Sequence, residues 1–365
     1  MSQFLPAFLM SYTDSSFTNP HEVVLANEPQ ECTGNFTHMG AKYWGFETER
    51  HCAITPRAGS QGFRFDHDAF NSFIIGLNHR SLVREVRVST KWFTGNQVPC
   101  VAIDLIDGDN EVVVLNRVIL EPDQEHIFSI SETWATRCRV RCFHEGGIAR
   151  VNLFGDPGDP LYDRLNLLEG AAVSHISNEH YGSPQMAVRG QRIENHMVGW
   201  ESARSGFGEQ AVFQLRKPTQ VQCLVVDTYL HRLNPPLSCH LFGLPVDEDM
   251  TLDDAMTKQP CWQITFDDGT TVVPPDIQAY MRDQAFLTEA VTNPHQFNVD
   301  LAVADDSPWV PLIRFAPLVA DTWHELNKIE SNQPMQHLLY MHFPNGGVHG
   351  LKLFGLELEG GALGT

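Results

Sequence analysis

Gly45-Phe-Glu-Thr-Glu-Arg50 and Gly199-Trp-Glu-Ser-Ala-Arg204 are two copies of one short pattern. Each has a glycine, an aromatic residue and a glutamate, with an arginine three residues after the glutamate. Each half of the chain also closes on a Gly-Gly turn and an apolar segment, at Glu145–Gly155 and at Asn345–Gly355. Because the blocks recur in the same order, the chain has duplicated a whole domain rather than a short motif.

The spacing of the repeated blocks gives the domain organisation. A repeat of this length is too long for one unit of a solenoid, so it predicts two tandem domains. We place the first repeat at residues 1–155, a linker at 156–164 and the second repeat at 165–357. The second repeat contains extra residues at about 247–308 that have no counterpart in the first.

Both repeats are predicted to be all-β. Short alternating or β-branched segments separated by Gly, Asp and Asn clusters are typical of strands in a β-sandwich. Helical spacing of apolar residues predicts one helix at Asp159–Leu168 and another at Ile277–Thr288. The second lies in the insertion, which the sequence leaves open as a lid, an assembly arm or an ordinary surface elaboration.

The strongly acidic composition excludes some classes of binding partner. The formal net charge of −20 argues against a nucleic-acid or anionic-membrane surface, since both carry negative charge themselves. No apolar run is long enough to span a membrane, and the first residues lack the basic start of a signal peptide. We therefore expect a cytoplasmic protein whose eight cysteines are reduced.

Three motifs, each present in both halves at least in part, resemble those of a known family. They are Gly-Trp-Glu-x-x-Arg, Asp-Thr followed by Phe-x-Gly-Asn, and a closing Gly-Gly-Ile-x-Arg-Leu block. In this order they are similar to allantoicases, the allantoate amidinohydrolases of purine catabolism. The resemblance implies two jelly-roll β-sandwiches of the galactose-binding type and a homo-oligomer. It also implies the release of urea from allantoate or a related ureido or guanidino acid.

Such a reaction needs a cation for the substrate carboxylate, polar groups for the planar ureido groups, and an acid or base to move protons. The repeated blocks supply residues of these types. The candidates for proton transfer are Glu47, Glu201, His126 and His324. The candidates for substrate binding are Arg50, Arg204, Asn96, Asn234, Asp227 and Arg150.

Differences between the copies show that each half keeps a different part of the pattern. Ser89 stands where the second copy keeps Asp227, and Gly350 stands where the first copy keeps Arg150. Perfectly repeated residues also suit a structural role, because a scaffold feature duplicates faithfully. The sequence leaves open which repeat holds the active site.

Seventeen histidines raise the question of a metal, yet no motif with ligand spacing such as His-Glu-x-x-His is present. The metal ligands are therefore unknown, and a divalent ion such as Mn²⁺ assembled from distant residues is left open. No nucleotide-binding motif is found. The alternative to an enzyme is a non-catalytic tandem jelly-roll that binds a small polar ligand or sugar.

Overall fold

A computed structural model describes most of the chain. It covers residues 2–14, 19–32, 34–37, 40–41, 45–161, 165–189, 192, 198–204, 208–246, 250–273 and 297–358. The chain divides into two compact units, unit 1 (Met1–Arg164) and unit 2 (Leu165–Thr365). Within the described ranges, no helix is both long and apolar enough to cross a membrane.

The described residues of unit 1 form strands and one short 3₁₀ helix at Pro20–Val24. The strands are β1 (Gln3–Phe4), β2 (Ala7–Tyr12), β3 (Phe36–Thr37), β4 (Gly40–Ala41), β5 (Phe46–Glu47), β6 (Ile54–Pro56), β7 (Phe63–Phe65), β8 (Asn71–Ser89), β9 (Cys100–Asp107), β10 (Asn110–Ile119), β11 (Glu125–Phe143), β12 (Gly147–Ile148) and β13 (Arg150–Pro160).

Two long strands organise unit 1. The main sheet has the order β1-β13-β8-β11-β9-β10, with β2 also paired to β8. Residues 73–77 of β8 pair with β2, whereas residues 79–89 pair with β13. Because its two halves have different neighbours, this strand serves both layers of the jelly-roll sandwich. The core between the layers holds β-branched and aromatic side chains, among them Phe46, Phe73 and Ile148.

Unit 2 repeats this plan, and its described residues include two short helices, α1 (Pro184–Ala187) and α2 (Leu252–Met256). Its strands are β14 (Ala172–Ser174), β15 (Tyr181–Gly182), β16 (Trp200–Glu201), β17 (Glu209–Asp227), β18 (Ser238–Pro245), β19 (Cys261–Phe266), β20 (Thr271–Val272), β21 (Phe297–Ala302), β22 (Val310–Pro317), β23 (Trp323–Leu326), β24 (Met335–Phe343), β25 (Gly347–Val348) and β26 (Gly350–Glu357).

The duplication seen in the sequence is reproduced in the strand pairing of unit 2. The order β14-β17-β24-β18-β22 has β23 and β26 paired to the second half of β17. Gly350 of β26 lies opposite Asp227, as Arg150 lies opposite Ser89 in unit 1. The predicted all-β fold of two jelly-roll sandwiches is therefore confirmed.

The insertion in unit 2 adds a small sheet of its own, with the order β20-β19-β21. Its side chains, with Ala255 of α2, pack over an apolar cluster on the face of β18 and β24 that points away from the main core. That cluster includes Phe242, Leu339 and Met341. The described part of the insertion therefore covers one face of the sheet.

The region around the predicted linker differs from expectation. Residues 156–160 continue β13 and pair with β8, with a register shift between Pro157 and Pro160. The helix predicted at Asp159–Leu168 is wrong where the structure describes it, because 159–160 are strand and 167–170 are turn. Proline is tolerated at such irregular strand ends. The helix predicted at Ile277–Thr288 lies outside the described residues.

Candidate active site

Glu47 and Asn96, two of the predicted site residues, come together at one end of unit 1. Glu47 ends β5 and lies opposite Gly147 of β12. Asn96 Nδ2 donates a hydrogen bond to Glu47 Oε1 at 3.3 Å, while the Asn96 carbonyl accepts one from Gly147 N at 2.7 Å. One asparagine therefore holds both the carboxylate and the Gly-Gly turn beside it.

The glycines of the repeated motifs are required by close packing at this site. Gly45 has φ +93°, and a Cβ there would lie 2.3 Å from the Ile148 carbonyl oxygen. A Cβ on Gly147 would lie 2.0 Å from the ring of Phe93. Both contacts are far shorter than van der Waals distance. The Gly-aromatic-Glu and Gly-Gly motifs are thus needed to bring β5 and β12 together.

Unit 2 contains the same arrangement. Glu201 of β16 lies opposite Gly347, and Asn234 Nδ2 donates to Glu201 Oε1 at 2.8 Å. The Asn234 carbonyl accepts from Gly347 N at 2.8 Å. The ring of His231 packs against Gly347 where Phe93 packs in unit 1. We call these pairs the unit 1 dyad (Glu47, Asn96) and the unit 2 dyad (Glu201, Asn234).

The two dyads differ in their surroundings. Glu47 is only 6% exposed, and its Oε2 has no hydrogen-bond partner among the described residues. Burial raises the pKa of Glu47, opposed by the hydrogen bond from Asn96 and by the positive charge of Arg50. Glu201 is half-buried and therefore more accessible. A carboxyl group that resists ionisation and has a spare oxygen is suited to donate a proton.

Arg50 and Arg204 occupy equivalent exposed positions three residues after the dyad glutamates. Arg50 is close enough to Glu47 to oppose the rise in its pKa. The main chain of Arg204 is held by Asn345, whose Nδ2 donates to the Arg204 carbonyl at 3.3 Å. Both guanidinium groups are thus available to a ligand at the surface of their units.

Arg150 and Asp227, predicted to bind substrate, both have hydrogen-bond partners within the protein. Arg150 is buried and donates to the carbonyls of Asn27 and Ala149, at 3.0 and 2.7 Å. Asp227 is buried and accepts two hydrogen bonds from Arg192, one on each carboxylate oxygen and both at 2.9 Å. We infer that these residues hold the scaffold, because their charged groups are already engaged.

His126 and His324, predicted to carry protons, form identical clamps in the two units. His126 Nε2 accepts from Glu121 N at 2.8 Å, and Nδ1 lies 3.2 Å from the Val88 carbonyl. His324 Nε2 accepts from Val319 N at 3.0 Å, and Nδ1 lies 3.0 Å from the Val226 carbonyl. Since both ring nitrogens bind main chain, we assign these histidines a structural role.

Sequence reasoning missed two groups in unit 2. Arg192, which binds Asp227, lies outside the repeated blocks. Because Asp227 faces Gly350 rather than an arginine, the sequence did indicate that its cationic partner comes from another segment. Glu209 is buried and accepts a hydrogen bond from Ser177 Oγ at 2.5 Å and another from Ser202, the residue after Glu201. Burial raises the pKa of Glu209, and the two serines oppose that rise.

The described residues contain no group of three or more His, Cys, Asp or Glu side chains placed to hold a metal ion. The dyads each supply one carboxylate and one amide, which is too few ligands for a resident ion.

Comparison with known proteins identifies the family. The allantoicase repeat model matches residues 1–158 and, a second time, residues 163–358. The chain belongs to the allantoicase family. A probable allantoicase of Pseudomonas paraeruginosa is 27% identical over 262 residues, covering 66% of this chain and 74% of the relative. The allantoicase of Neurospora crassa is 21% identical over 373 residues, covering 95% and 87%.

Two solved structures overlap the chain over most of its length. Allantoicase from Saccharomyces cerevisiae covers 96% of this chain and 90% of its own, at 19% identity and a TM-score of 0.34. A fucolectin from striped bass covers 81% and 85%, at 10% identity and a TM-score of 0.30. The resemblance inferred from the repeated motifs is thus confirmed by the family match to both halves.

Proposed function

We propose that the protein is an amidinohydrolase that converts allantoate and water to ureidoglycolate and urea, and that the unit 1 dyad carries the chemistry. Family membership supports the reaction class. The observation that carries the choice of residue is the buried carboxyl of Glu47, with its raised pKa and its Oε2 without a described partner.

The proposed step moves one proton at each end of the broken bond. The bond between the central carbon of allantoate and one ureido nitrogen breaks, and a bond from that carbon to a water oxygen forms. The departing nitrogen takes the proton of Glu47, and the proton lost by water returns to the carboxylate. Because burial raises the pKa of Glu47, a larger fraction of this carboxyl keeps a proton that it can donate to the departing nitrogen.

Asn96 and Arg50 would orient the reactants. Asn96 fixes one oxygen of Glu47, so the proton is directed from the other. Arg50 is exposed and close to Glu47, and its planar guanidinium suits the substrate carboxylate. This convergence of an acid, an amide and an arginine favours an enzyme over the alternative of a non-catalytic sugar-binding module.

The reaction is tested by incubating the purified protein with allantoate and measuring urea. The assay is run after chelation and again with added Mn²⁺, because metal dependence stays open. We expect urea release at a rate well above the spontaneous one. Absence of release under both conditions, in a protein shown to be folded by circular dichroism, would overturn the proposed substrate.

Oligomeric assembly and a cytoplasmic location stay predictions. Sedimentation would show a species larger than one 41.1 kDa chain if the homo-oligomer expected from the resemblance forms. Fractionation of the source cells would test the location. No disulfide joins any of the eight cysteines, all of which lie within the described residues.

A further inference from the structure

Unit 2 has an open groove of about 320 Å³ whose lining includes neither residue of the unit 2 dyad. This volume is at the lower end of the range typical of sites for small ligands. The groove lies beside β14 and α1, and every residue that lines it belongs to unit 2. The lining consists of Glu169, Ala171, Val173, Gln185, Val188 and Arg189.

The lining divides into an apolar floor and a polar rim. Ala171, Val173 and Val188 form the floor, and Val188 is only 6% exposed. The rim carries one carboxylate, one amide and one guanidinium, all exposed, at Glu169, Gln185 and Arg189. Small-molecule sites usually combine an apolar floor with a small number of polar groups that point toward the ligand.

A second cation lies near the rim. Burial lowers the pKa of Lys352, while the carboxylates of Glu169 and Asp227 act in the opposite direction. Lys352 Nζ also lies 5.9 Å from the ring centre of Trp323. The groove thus has positive charge at Arg189, with a further ammonium group within electrostatic reach of Glu169.

Unit 1 shows that these charges are not part of the duplicated scaffold. Pro20 and Pro184 begin the equivalent short helices, so Leu25 and Arg189, each five residues later, are equivalent. Asn152 and Lys352 are equivalent because each lies two residues after the matched positions 150 and 350. Asn152 Nδ2 donates to the Leu25 carbonyl at 3.1 Å, which ties the two segments together by neutral groups. Charge at both positions is therefore a property of unit 2 alone.

We propose that the unit 2 groove binds a small organic acid that also carries N–H donors, of the ureido or amino acid class. Arg189 receives the carboxylate and Glu169 accepts from the N–H groups. The Gln185 amide can pair with a ureido group through both its donor and its acceptor. Val173 and Val188 contact the hydrocarbon part. The inference goes beyond the proposed function, because neither dyad takes part.

The test uses N-carbamoylglycine as the probe, because it combines a carboxylate with a ureido group. Methyl groups of valine are labelled, and the signals of Val173 and Val188 are assigned through Val173→Ala and Val188→Ile. Titrations are run on the wild type, on Arg189→Ala and on the control Lys217→Ala. The control removes a surface lysine of unit 2 that lies 3.8 Å from Glu357 and does not line the groove.

We expect both valine signals to shift and saturate with a Kd of about 1 mM, and Arg189→Ala to weaken binding at least about tenfold. The control should bind as the wild type does. Propionate and N-methylurea, which each lack one of the two groups, should bind less tightly. Signals that stay unshifted up to roughly 50 mM probe, or that respond equally in Arg189→Ala, would overturn the proposal.

The same titration on Glu47→Gln separates this inference from the proposed reaction. Groove binding should persist in that variant, because Glu47 belongs to the other unit. It should also persist if allantoate proves not to be the substrate. Loss of the valine shifts in Glu47→Gln would contradict a separate site.

Discussion

Units 1 and 2 hold the same glutamate–asparagine pair in different electrostatic settings. In unit 1 the glutamate is buried and accepts from its asparagine at 3.3 Å, while in unit 2 it is half-buried and accepts at 2.8 Å. The glycines that permit the pair are needed in both. Duplication has therefore preserved the geometry of the site, and the pKa of Glu47 is set by what surrounds it.

A second comparison concerns the sheet face that points away from each core. In unit 1 this face carries Asp104, which is fully buried and bound by Arg139 and Arg141 at 2.8–3.0 Å. In unit 2 the positions equivalent to the two arginines are Leu339 and Met341, which the insertion covers. In unit 1 the charged side chains on this face pair with one another, whereas in unit 2 the face is apolar and is covered by the insertion.

We expect the largest loss of stability when the arginine that unit 1 has at position 139 is placed at the equivalent position of unit 2. Leu339→Arg puts a guanidinium into an apolar cluster without a carboxylate, which should cost about 4 kcal/mol. The reverse change, Arg139→Leu, leaves Asp104 paired with Arg141 and should cost about 1 kcal/mol. Unfolding in guanidinium chloride measures both, and equal losses would contradict the comparison.

Arg192→Ala should be next in size. It leaves the buried carboxylate of Asp227 without its bidentate partner, at a cost of about 3 kcal/mol. Adding Gly350→Arg should recover part of this loss, because it restores an arginine at the position that Arg150 holds in unit 1. Thermal unfolding of the single and double variants tests this, and a double variant no more stable than Arg192→Ala would refute the equivalence.

The histidine clamps should give a smaller and matched effect. His126→Ala and His324→Ala each remove two hydrogen bonds to main chain, and each should lower the free energy of unfolding by about 1–2 kcal/mol. Turnover should stay near the wild-type value once the proteins are folded. A loss of turnover in folded His126→Ala without a matching loss of stability would restore the proton-transfer role predicted from the sequence.

The smallest expected effect is the pH dependence that Glu47 gives to stability. Burial raises the pKa of Glu47 in the folded state. The stabilisation that the protonated side chain gives to the folded protein is therefore fully present below the unfolded pKa of about 4.3, and it is lost as the pH rises through the folded pKa. Glu47→Gln removes the cost of burying the ionised group. The variant should therefore unfold at a higher temperature than the wild type at pH 8, with the difference shrinking toward pH 4.

Repetition explains how much of the site the sequence could predict. The dyads were predictable because both partners of each hydrogen bond stand in repeated blocks. Arg192 was not, because it comes from a segment between blocks and its contact with Asp227 depends on the tertiary fold. Glu47 and Glu201 looked equivalent in sequence, since burial is decided by neighbours far along the chain.

Much of the fold was predictable too, but for a different reason. Alternating strands and turn residues are local signals, so the two sandwiches could be inferred. The helix expected at Asp159–Leu168 failed because pairing of β13 with β8 overrode a short apolar pattern. The packing of Trp262 against Phe343, with ring centres 4.7 Å apart, had no local signal at all.

The central claim is that the buried acid of unit 1 performs the chemistry, and paired substitutions of the two glutamates test it most directly. Urea release from allantoate is measured for Glu47→Gln and Glu201→Gln, with folding checked by circular dichroism. We predict that Glu47→Gln lowers kcat by about 10³-fold, whereas Glu201→Gln stays within about tenfold of the wild type. The reverse order, or equal losses in both variants, would contradict the account.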